Sequence, residues 1–255
     1  MSKCLSLQKN SIFMFTKEIQ KFIHQNNYPN FSPKAIFFDM DGVLFDSMKH
    51  HATAWVKALH KVGLPFTEYE AYMNEGRTGS STIDGVFIKT HGRIATEDEK
   101  KNIYRLKSEM FEASGKTEQI AFAFELLEKI KSQKLQIFVV TGSGQASLID
   151  NLDLNFPKIF QKDKMVTAYD VQHGKPHPEP YLMALKKSGV KPWEVVVVEN
   201  APLGVESATE AGLFTIGINT GPLDPKVLSD SGANIVLGGM EELYDHWNTF
   251  SQNWS

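Results

Sequence analysis

Short apolar runs of strand length recur along the chain, and helix-like segments separate most of them. In those segments apolar residues return every three or four positions, which is the spacing of one helix face. Because the short runs are apolar at successive positions, they are typical of strands buried on both faces of a parallel sheet. The pattern predicts an α/β fold, a Rossmann-like parallel sheet covered by helices. The predicted strands span 35–38, 135–140, 165–168, 194–198, 213–218 and 234–237.

One long interval between strands is helical throughout. Residues 47–117 contain no strand-like run. The helices predicted there cover 51–59, 80–89 and 96–113. A stretch of this length can form a small subdomain. We therefore expect an all-helical cap domain at 47–117, inserted into a core made of 34–46 and 118–255.

Residues 1–33 precede the first strand as an extension. Phe15, Ile19, Phe22 and Ile23 stand at i, i+4, i+7 and i+8, which predicts a short amphipathic helix. Such a helix either packs on the body of the protein or presents its apolar face to a partner or a membrane surface. The sequence leaves both interpretations open.

The composition narrows the expected cellular location and partners of the protein. The net charge of −3 argues against broad nucleic-acid binding, and no apolar run approaches the length that spans a bilayer. Cys4 is the single cysteine, so no intrachain disulfide is possible, and the first residues make a poor signal peptide. We expect a cytoplasmic protein, a monomer or weak oligomer, with no nucleic-acid or membrane partner.

The first predicted strand ends in two carboxylates. Asp39 and Asp41 follow the apolar run 35–38, and Gly42 comes directly after them. Buried charges are costly, so these side chains are expected to face the crevice at the carboxyl edge of the sheet, where ligands bind in open α/β folds. One carboxylate can attack an electrophile while the other moves a proton.

A second strand leads into a glycine-rich turn. Thr141, Gly142 and Ser143 stand between the strand 135–140 and a predicted helix. Hydroxyls, backbone N–H groups and a helix N-terminus together favour binding of a phosphate. The same residues also suit a simple turn and helix N-cap, and both interpretations stay open.

Polar residues follow two further elements. Lys175 lies between Gly174 and Pro176, where it can neutralise a carboxylate and a phosphate, or it is an ordinary surface lysine. Glu199 and Asn200 follow the strand 194–198. Carboxylate and amide oxygens suit Mg²⁺, although Asn200 is also a good helix N-cap.

Taken in order, these strand ends resemble the four motifs of the haloacid dehalogenase (HAD) superfamily. The resemblance covers nearly everything after Lys34, and residues 47–117 look like the small helical cap of the β-phosphoglucomutase branch. The matching stretches are FDMDGVLFDS at 38–47, VVTGSG at 139–144, GKPHPEPY at 174–181 and VENAPLGVESATEAG at 198–212.

The resemblance implies a phosphoryl-transfer mechanism and a set of residue roles. Asp39 is the nucleophile that becomes an aspartyl phosphate, and Asp41 is the general acid and base. Thr141, with the amides of Gly142 and Ser143, holds the phosphoryl oxygens, while Gly42 belongs to the substrate-binding loop. Lys175 screens charge between Asp39 and phosphate. The implied Mg²⁺ ligands are Asp39, Asp41 through its carbonyl, Asn200 and, nearby or through water, Glu199.

Two departures from the family pattern concern the metal and the cap. Most relatives carry aspartate where this chain has Asn200. In β-phosphoglucomutases the cap loop offers a lysine and an arginine, and here Glu75 and Gly79 stand at those places. The hypothesis is that Glu75 completes the Mg²⁺ site when the cap closes, and that Arg77 binds an anionic leaving group. Alternatively, Glu75 is a solvated loop residue.

The pairing of Asn200 with Glu75 is similar to HAD-type inorganic pyrophosphatases catalogued as β-phosphoglucomutases. It implies a Mg²⁺-dependent hydrolase acting on pyrophosphate or another small phosphate. A β-phosphoglucomutase, a sugar-phosphate phosphatase and a non-catalytic binder are the alternatives. His51 stands where the mutases place a histidine that couples closure to acid–base work, or it faces the core beside Trp55.

Overall fold

A six-stranded, all-parallel sheet forms the centre of the protein, as predicted. The computed structural model describes residues 15–144 and 146–254, apart from the side chains of 146–150. The sheet order is β3-β2-β1-β4-β5-β6. Its strands are β1 (Ala35–Phe38), β2 (Gln136–Val140), β3 (Met165–Val166), β4 (Val195–Glu199), β5 (Phe214–Ile218) and β6 (Ile235–Leu237).

The strand register brings three predicted site segments to one edge. Phe38 at the end of β1 pairs with Val139 of β2 on one side and with Val198 of β4 on the other. Since parallel strands in register end at the same edge, the residues after β1, β2 and β4 lie beside one another. Every residue of β1 and β4 is buried, as expected for central strands of a parallel sheet that helices cover on both faces.

Helices connect the strands and form the insertion. They are α1 (15–26), α2 (Met48–Lys61), α3 (Glu68–Met73), α4 (Gly79–His91), α5 (Glu97–Glu112), α6 (Ala123–Ser132), α7 (Ala146–Asn155), α8 (Glu179–Ser188), α9 (Pro202–Glu210), α10 (Pro225–Asp230) and α11 (Met240–Ser251). Helices α3, α10 and α11 were not predicted from the sequence pattern. Each nevertheless has a local signal: a capping box from Thr67 to Glu70, the N-cap Asp224, and buried Leu243 and Trp247 four residues apart.

One predicted strand is shorter than expected. The run 165–168 forms a strand only over Met165–Val166. Thr167 donates its backbone N–H to Asp170 Oδ2 at 2.8 Å and its hydroxyl to the same oxygen at 2.9 Å. This side-chain pairing turns the chain away from the sheet.

Helices α2–α5 lie between β1 and α6 and share an apolar cluster of their own. The two chain segments that join them to the sheet run side by side. Asp46 N–H donates to Glu118 O at 2.9 Å, and Ile120 N–H donates to Leu44 O at 2.9 Å. The cap boundaries at 47 and 117 stay a prediction, and these paired segments are where the chain crosses between the two parts.

Helix α1 packs on the body of the protein. Phe15, Ile19 and Phe22 are buried in the main core. Phe22 contacts Phe214 of β5 edge-to-face, with ring centroids 5.3 Å apart. The apolar face of residues 15–26 is therefore already covered. Residues 1–14, including Cys4, lie outside the described part of the chain, in which every helix is too short or too polar to cross a bilayer.

Candidate active site

Lys175 is buried between two carboxylates at the edge of the sheet. Its Nζ donates to Asp39 Oδ1 at 2.6 Å, to Glu199 Oε1 at 2.5 Å and to the carbonyl of Val140 at 2.9 Å. Burial acts to lower the pKa of Lys175, but Asp39 and Glu199 outweigh it and raise that pKa above its ordinary value. A solvent-exposed surface lysine is therefore excluded, and Lys175 ties the ends of β1, β2 and β4 together.

Glu199 is fully buried, and four donors surround its carboxylate. The Tyr181 hydroxyl donates to Oε1 at 2.8 Å beside Lys175, and the backbone N–H groups of Asn200 and Ala201 donate to Oε2 at 3.0 and 3.2 Å. A carboxylate accepts about four hydrogen bonds, so Glu199 is saturated. This favours a supporting role for Glu199 beneath the site, while its predicted contact with a metal stays a prediction.

Asp39 lies in an environment with excess negative charge. Burial is the main cause that raises the pKa of Asp39, to about 8; Lys175 opposes the shift, whereas Glu199 and Asp41 add to it. Glu75 shows the same pattern, because burial and the nearby Asp39 raise its pKa well above the ordinary range. The crevice therefore favours an additional positive charge.

Asp41 is held by donors from the first turn of the insertion. Ser47 Oγ donates to Asp41 Oδ1 at 2.6 Å, and His51 Nε2 lies 3.1 Å from the same oxygen. Burial acts to raise the pKa of Asp41, but His51, Ser47 and the charge of Lys107 together lower it. His51 thus contacts the predicted acid–base residue directly while also stacking on Phe111 at 4.2 Å.

Lys107 completes this chain of contacts and was not predicted. Its Nζ lies 2.7 Å from His51 Nδ1, and the side chain is buried against Trp55 and Phe111. Burial lowers the pKa of Lys107 to about 7, although Asp41 acts to raise it. A signal was present in the sequence: Lys107 stands midway between Ile103 and Phe111 on the apolar face of α5. A lysine at that spacing is buried or reaches a site.

The predicted phosphate loop lies where β2 ends. Thr141 is buried, and its hydroxyl oxygen accepts the backbone N–H of Ser143 at 2.9 Å. A Cβ atom at Gly142 would lie 2.1 Å from the carbonyl oxygen of Gly76 in the insertion. Glycine is therefore required at 142 for the loop 74–78 to rest on this turn.

Asn200 connects the core with the insertion. Its Nδ2 donates to Glu75 Oε1 at 3.0 Å, whereas its Oδ1 is buried and accepts no hydrogen bond from the described residues. The N-cap of α9 is Ala201, so the N-cap interpretation of Asn200 is wrong. Gly42 has φ +79°, and a Cβ there would lie 2.1 Å from Asn200 Nδ2, which explains the glycine.

The insertion closes over the crevice and leaves a cavity of about 60 Å³. Arg77 lines it; its Nη1 donates to Ser81 at 3.2 Å, and its buried Nε donates to no described residue. The ring of Tyr104 fills the space beside Gly79. Of the predicted site residues, those on the cavity wall are Asp39, Asp41, His51, Glu75, Arg77, Thr141, Gly142 and Ser143.

Comparison with known proteins identifies the family of this chain. Residues 36–218 match the sequence model described as "Haloacid dehalogenase-like hydrolase". A "Phosphorylated carbohydrates phosphatase" from Thermotoga maritima is 32% identical over 215 residues, covering 82% of this chain and 96% of its own length. A "Beta-phosphoglucomutase" from Bacillus subtilis is 24% identical, covering 85% and 96%.

A solved structure shows the same fold over almost the whole chain. The "Putative beta-phosphoglucomutase from Bacteroides vulgatus" is 50% identical, with a TM-score of 0.92 and coverage of 95% of this chain and 98% of that one. The family match and the phosphatase relatives confirm the predicted HAD-type phosphatase. The chain belongs to the haloacid dehalogenase-like hydrolase family, in its β-phosphoglucomutase-like branch.

Proposed function

We propose that this phosphatase is a Mg²⁺-dependent phosphohydrolase that acts through an aspartyl phosphate on inorganic pyrophosphate or another small phosphate. The contact between Glu75 and Asn200 carries the proposal. It places a carboxylate of the insertion over the crevice that holds Asp39 and Asp41. A carboxylate at that place repels the distal phosphate of a sugar bisphosphate and attracts a cation.

The residues present fit a magnesium ion. Asn200 Oδ1 is a buried oxygen that no described donor satisfies, and the raised pKa values of Asp39 and Glu75, caused by burial and neighbouring carboxylates, support a cation in this crevice. Oxygen ligands of this kind are those that Mg²⁺ takes together with water and phosphate. Asp39, the Asp41 carbonyl, Asn200 and Glu75 would hold the ion. When bound, it supplies positive charge that screens carboxylates from phosphate and polarises phosphoryl oxygens.

The first chemical step belongs to Asp39. Lys175 donates to the Asp39 side chain and orients it. The backbone N–H of Asp39 donates to Val198 O at 3.0 Å and fixes the main chain at this position. A carboxylate oxygen of Asp39 forms a bond to phosphorus while the bond from phosphorus to the bridging oxygen breaks. The leaving phosphate takes a proton from Asp41. Thr141 and the amides of the following turn bind the transferred phosphoryl oxygens.

Asp41 supplies and then removes the proton. In the structure its pKa is lowered, because His51 and Ser47 stabilise the carboxylate. A phosphate anion in the cavity adds negative charge beside Asp41 and raises the pKa of this carboxyl group. Asp41 can therefore take up a proton when the substrate binds. After departure of the first phosphate, Asp41 takes a proton from the water that attacks the aspartyl phosphate. The bond to Asp39 then breaks and the second phosphate leaves.

The cavity supports a small substrate. Arg77 supplies a guanidinium on the insertion side of the cavity, and Lys107 is engaged with His51. A Cβ at Gly79 would lie 2.3 Å from the Tyr104 ring, so a side chain there would require this ring to move. A pyrophosphate presents only a phosphate as its leaving group, and the small cavity of about 60 Å³ favours such a substrate over a sugar bisphosphate.

The relatives support a second candidate. The Thermotoga maritima and Bacillus subtilis proteins bear names that refer to phosphorylated carbohydrates and to β-phosphoglucomutase. A sugar-phosphate phosphatase or mutase would need the insertion to open wider and Glu75 to leave the crevice. Asn200 also keeps a non-catalytic phosphate binder as a third candidate, against which the complete set of Asp39, Asp41, Thr141 and Lys175 argues.

A panel of substrates separates these candidates. Phosphate release is measured with Mg²⁺ from pyrophosphate, glucose 6-phosphate, fructose 1-phosphate and β-glucose 1-phosphate. We expect pyrophosphate to give the highest kcat/KM. Conversion of β-glucose 1-phosphate to glucose 6-phosphate without phosphate release would establish a mutase instead. Absence of turnover on all four, with tight phosphate binding, would establish the binder.

We further propose that the enzyme works in the cytoplasm as a monomer or weak oligomer. The single cysteine and the net charge of −3 support a reducing setting without nucleic-acid partners. Cell fractionation tests the location, and light scattering of the purified protein tests the oligomeric state.

A further inference from the structure

A cluster of metal-ligand side chains lies on the outer face of the loop that carries Lys175. His173, His177 and Glu179 each bring one ligand atom to within 4.8 Å of the other two. Among the residues whose side chains are described, no other group of three His, Cys, Asp or Glu residues has its ligand atoms this close together. It is separate from the crevice, whose predicted ligands include an amide and a backbone carbonyl.

The cluster is ordered by its own hydrogen bonds. His173 Nδ1 lies 2.9 Å from Glu179 Oε2, and the ring centroids of His173 and His177 are 4.8 Å apart. Glu179 also accepts the backbone N–H groups of Gln172 and His173, both at 2.9 Å. These hydrogen bonds hold the Glu179 carboxylate beside the His173 ring. One anionic and two imidazole ligands are therefore held close together.

We propose that His173, His177 and Glu179 form a second cation site, specific for zinc-like transition-metal ions. Imidazole nitrogen suits Zn²⁺, Co²⁺, Ni²⁺ and Cu²⁺, whereas Mg²⁺ prefers oxygen alone. The ion would replace the hydrogen bond between His173 Nδ1 and Glu179 Oε2, because both atoms bind a metal through a lone pair. Ligand atoms around zinc lie roughly 3.3 Å apart. The three ligand atoms, which lie within 4.8 Å of one another, would approach that spacing by rotation of the side chains.

The surroundings of the cluster favour a cation. The side chain of His173 is 63% exposed, so an ion reaches it from solvent. The adjoining groove, between α4 and α9, is lined by the carboxylates of Glu206 and Glu210, by Asp84, which is paired with Lys100 at 2.9 Å, and by the cationic side chains of Arg77 and Lys175, of which Lys175 is paired with Asp39 and Glu199. Negative charge on the walls of a groove raises the local concentration of cations.

A short piece of backbone joins the proposed zinc site to the candidate active site. Lys175 stands two residues from each histidine, and a Cβ at Gly174 would lie 2.7 Å from a methyl carbon of Thr78 in the insertion. An ion that fixes His173 and His177 fixes the backbone on both sides of Lys175. Zinc at this place acts on the loop from outside and leaves the magnesium ligands untouched.

Metal binding to the full chain tests the proposal without any measurement of activity. A Cys4→Ser background removes the only thiol, and saturating Mg²⁺ occupies hard-cation sites. Zn²⁺ is added during calorimetry, and Co²⁺ is added while its visible absorption is recorded. We expect one ion per chain. His173→Ala and His177→Ala should each weaken Zn²⁺ binding at least ~10-fold, since each removes one of three ligands. His60→Ala, which removes an exposed imidazole on α2, serves as the matched control.

Two results would overturn the proposal. One is Zn²⁺ binding by the double variant His173→Ala/His177→Ala that equals binding by the background protein. The other is a calorimetric trace with no saturable Zn²⁺ site in the presence of Mg²⁺. Circular dichroism establishes that each variant is folded, which is expected for exposed side chains. Because turnover is not read, failure here leaves the proposed hydrolase unaffected, and the reverse also holds.

Discussion

The amide of Asn200 donates to the carboxylate of Glu75 at 3.0 Å, joining the end of β4 to the loop after α3. The two residues are 125 positions apart in the chain, and Glu75 also lines the cavity. The other amide atom of Asn200, Oδ1, is buried and has no donor among the described residues, so the pair brings a carboxylate close to an amide whose oxygen is unsatisfied. This pairing gives the sharpest test of the proposed cation site.

Replacing Glu75 tests that site from the insertion side. Glu75→Ala removes a proposed Mg²⁺ ligand, and we expect the Mg²⁺ concentration for half-maximal activity to rise at least ~10-fold, with a larger loss on pyrophosphate than on sugar phosphates. Turnover is measured over a Mg²⁺ titration on both kinds of substrate. Glu68→Ala, an exposed acid at the start of α3, is the control. Equal losses on both kinds of substrate would count against a ligand role.

Replacing Asp39 tests the nucleophile. Asp39→Asn keeps the shape of the side chain but removes its charge, so we expect a folded protein whose kcat falls at least ~10³-fold. Lys175 retains its ion pair with Glu199, and one buried carboxylate fewer relieves repulsion. Phosphate release and thermal unfolding are measured together. Appreciable turnover by a correctly folded variant would contradict the aspartyl-phosphate mechanism.

A substitution at Gly142 tests whether activity depends on closure of the insertion over the crevice. In Gly142→Ala a methyl group would lie 2.1 Å from Gly76 O, so the loop 74–78 must move away from the core. We expect kcat/KM to fall at least ~10-fold while the fold persists, because reacting groups tolerate little misplacement. Gly85→Ala is the matched control: nothing lies near its Cβ position inside α4, and alanine there should stabilise the protein by about 0.5–1 kcal/mol. Activity of Gly142→Ala equal to that control would argue against the closed geometry.

Lys107 gives a pH dependence of stability. Its folded pKa of about 7 lies below the ordinary 10.5, because burial disfavours the charged amine. Between these values the unfolded chain binds more protons, so the free energy of unfolding should rise with pH, by at most about 1.4 kcal/mol per unit. Lys107→Met should remove this rise, whereas Lys101→Met, which replaces an exposed lysine of α5, should keep it. Urea unfolding from pH 7 to 9.5 measures the difference, and parallel curves for wild type and Lys107→Met would exclude a neutralised buried lysine.

The sequence was most informative where a local pattern decides the structure. The buried strands are apolar at nearly every position, and the polar residues that follow β1, β2 and β4 could only meet at one edge of a parallel sheet. The strand pattern placed Asp39, Thr141 and Glu199 at strand ends, and the family resemblance joined them into one predicted site. The family resemblance added their roles, which the geometry leaves as proposals.

What the sequence could not supply depends on contacts between distant segments. Nothing local to Lys107 shows that its amine reaches His51 across the insertion, since two helices must pack to bring them together. Glu199 is a second example. A carboxylate at a strand end suits a metal ligand, yet four hydrogen-bond donors from three chain segments surround this one. Short α3 and α10 were missed because six residues give too few apolar repeats to show a period.

The paired crossing segments at Asp46 and Glu118 have a mechanical consequence. Two chain segments joined by backbone hydrogen bonds restrict the directions in which the insertion can turn relative to the sheet. We therefore expect any movement of the insertion to change chiefly the distance between Glu75 and Asn200. A ligand too large for the closed cavity would then hold the Glu75 carboxylate away from the crevice and leave the proposed cation site incomplete.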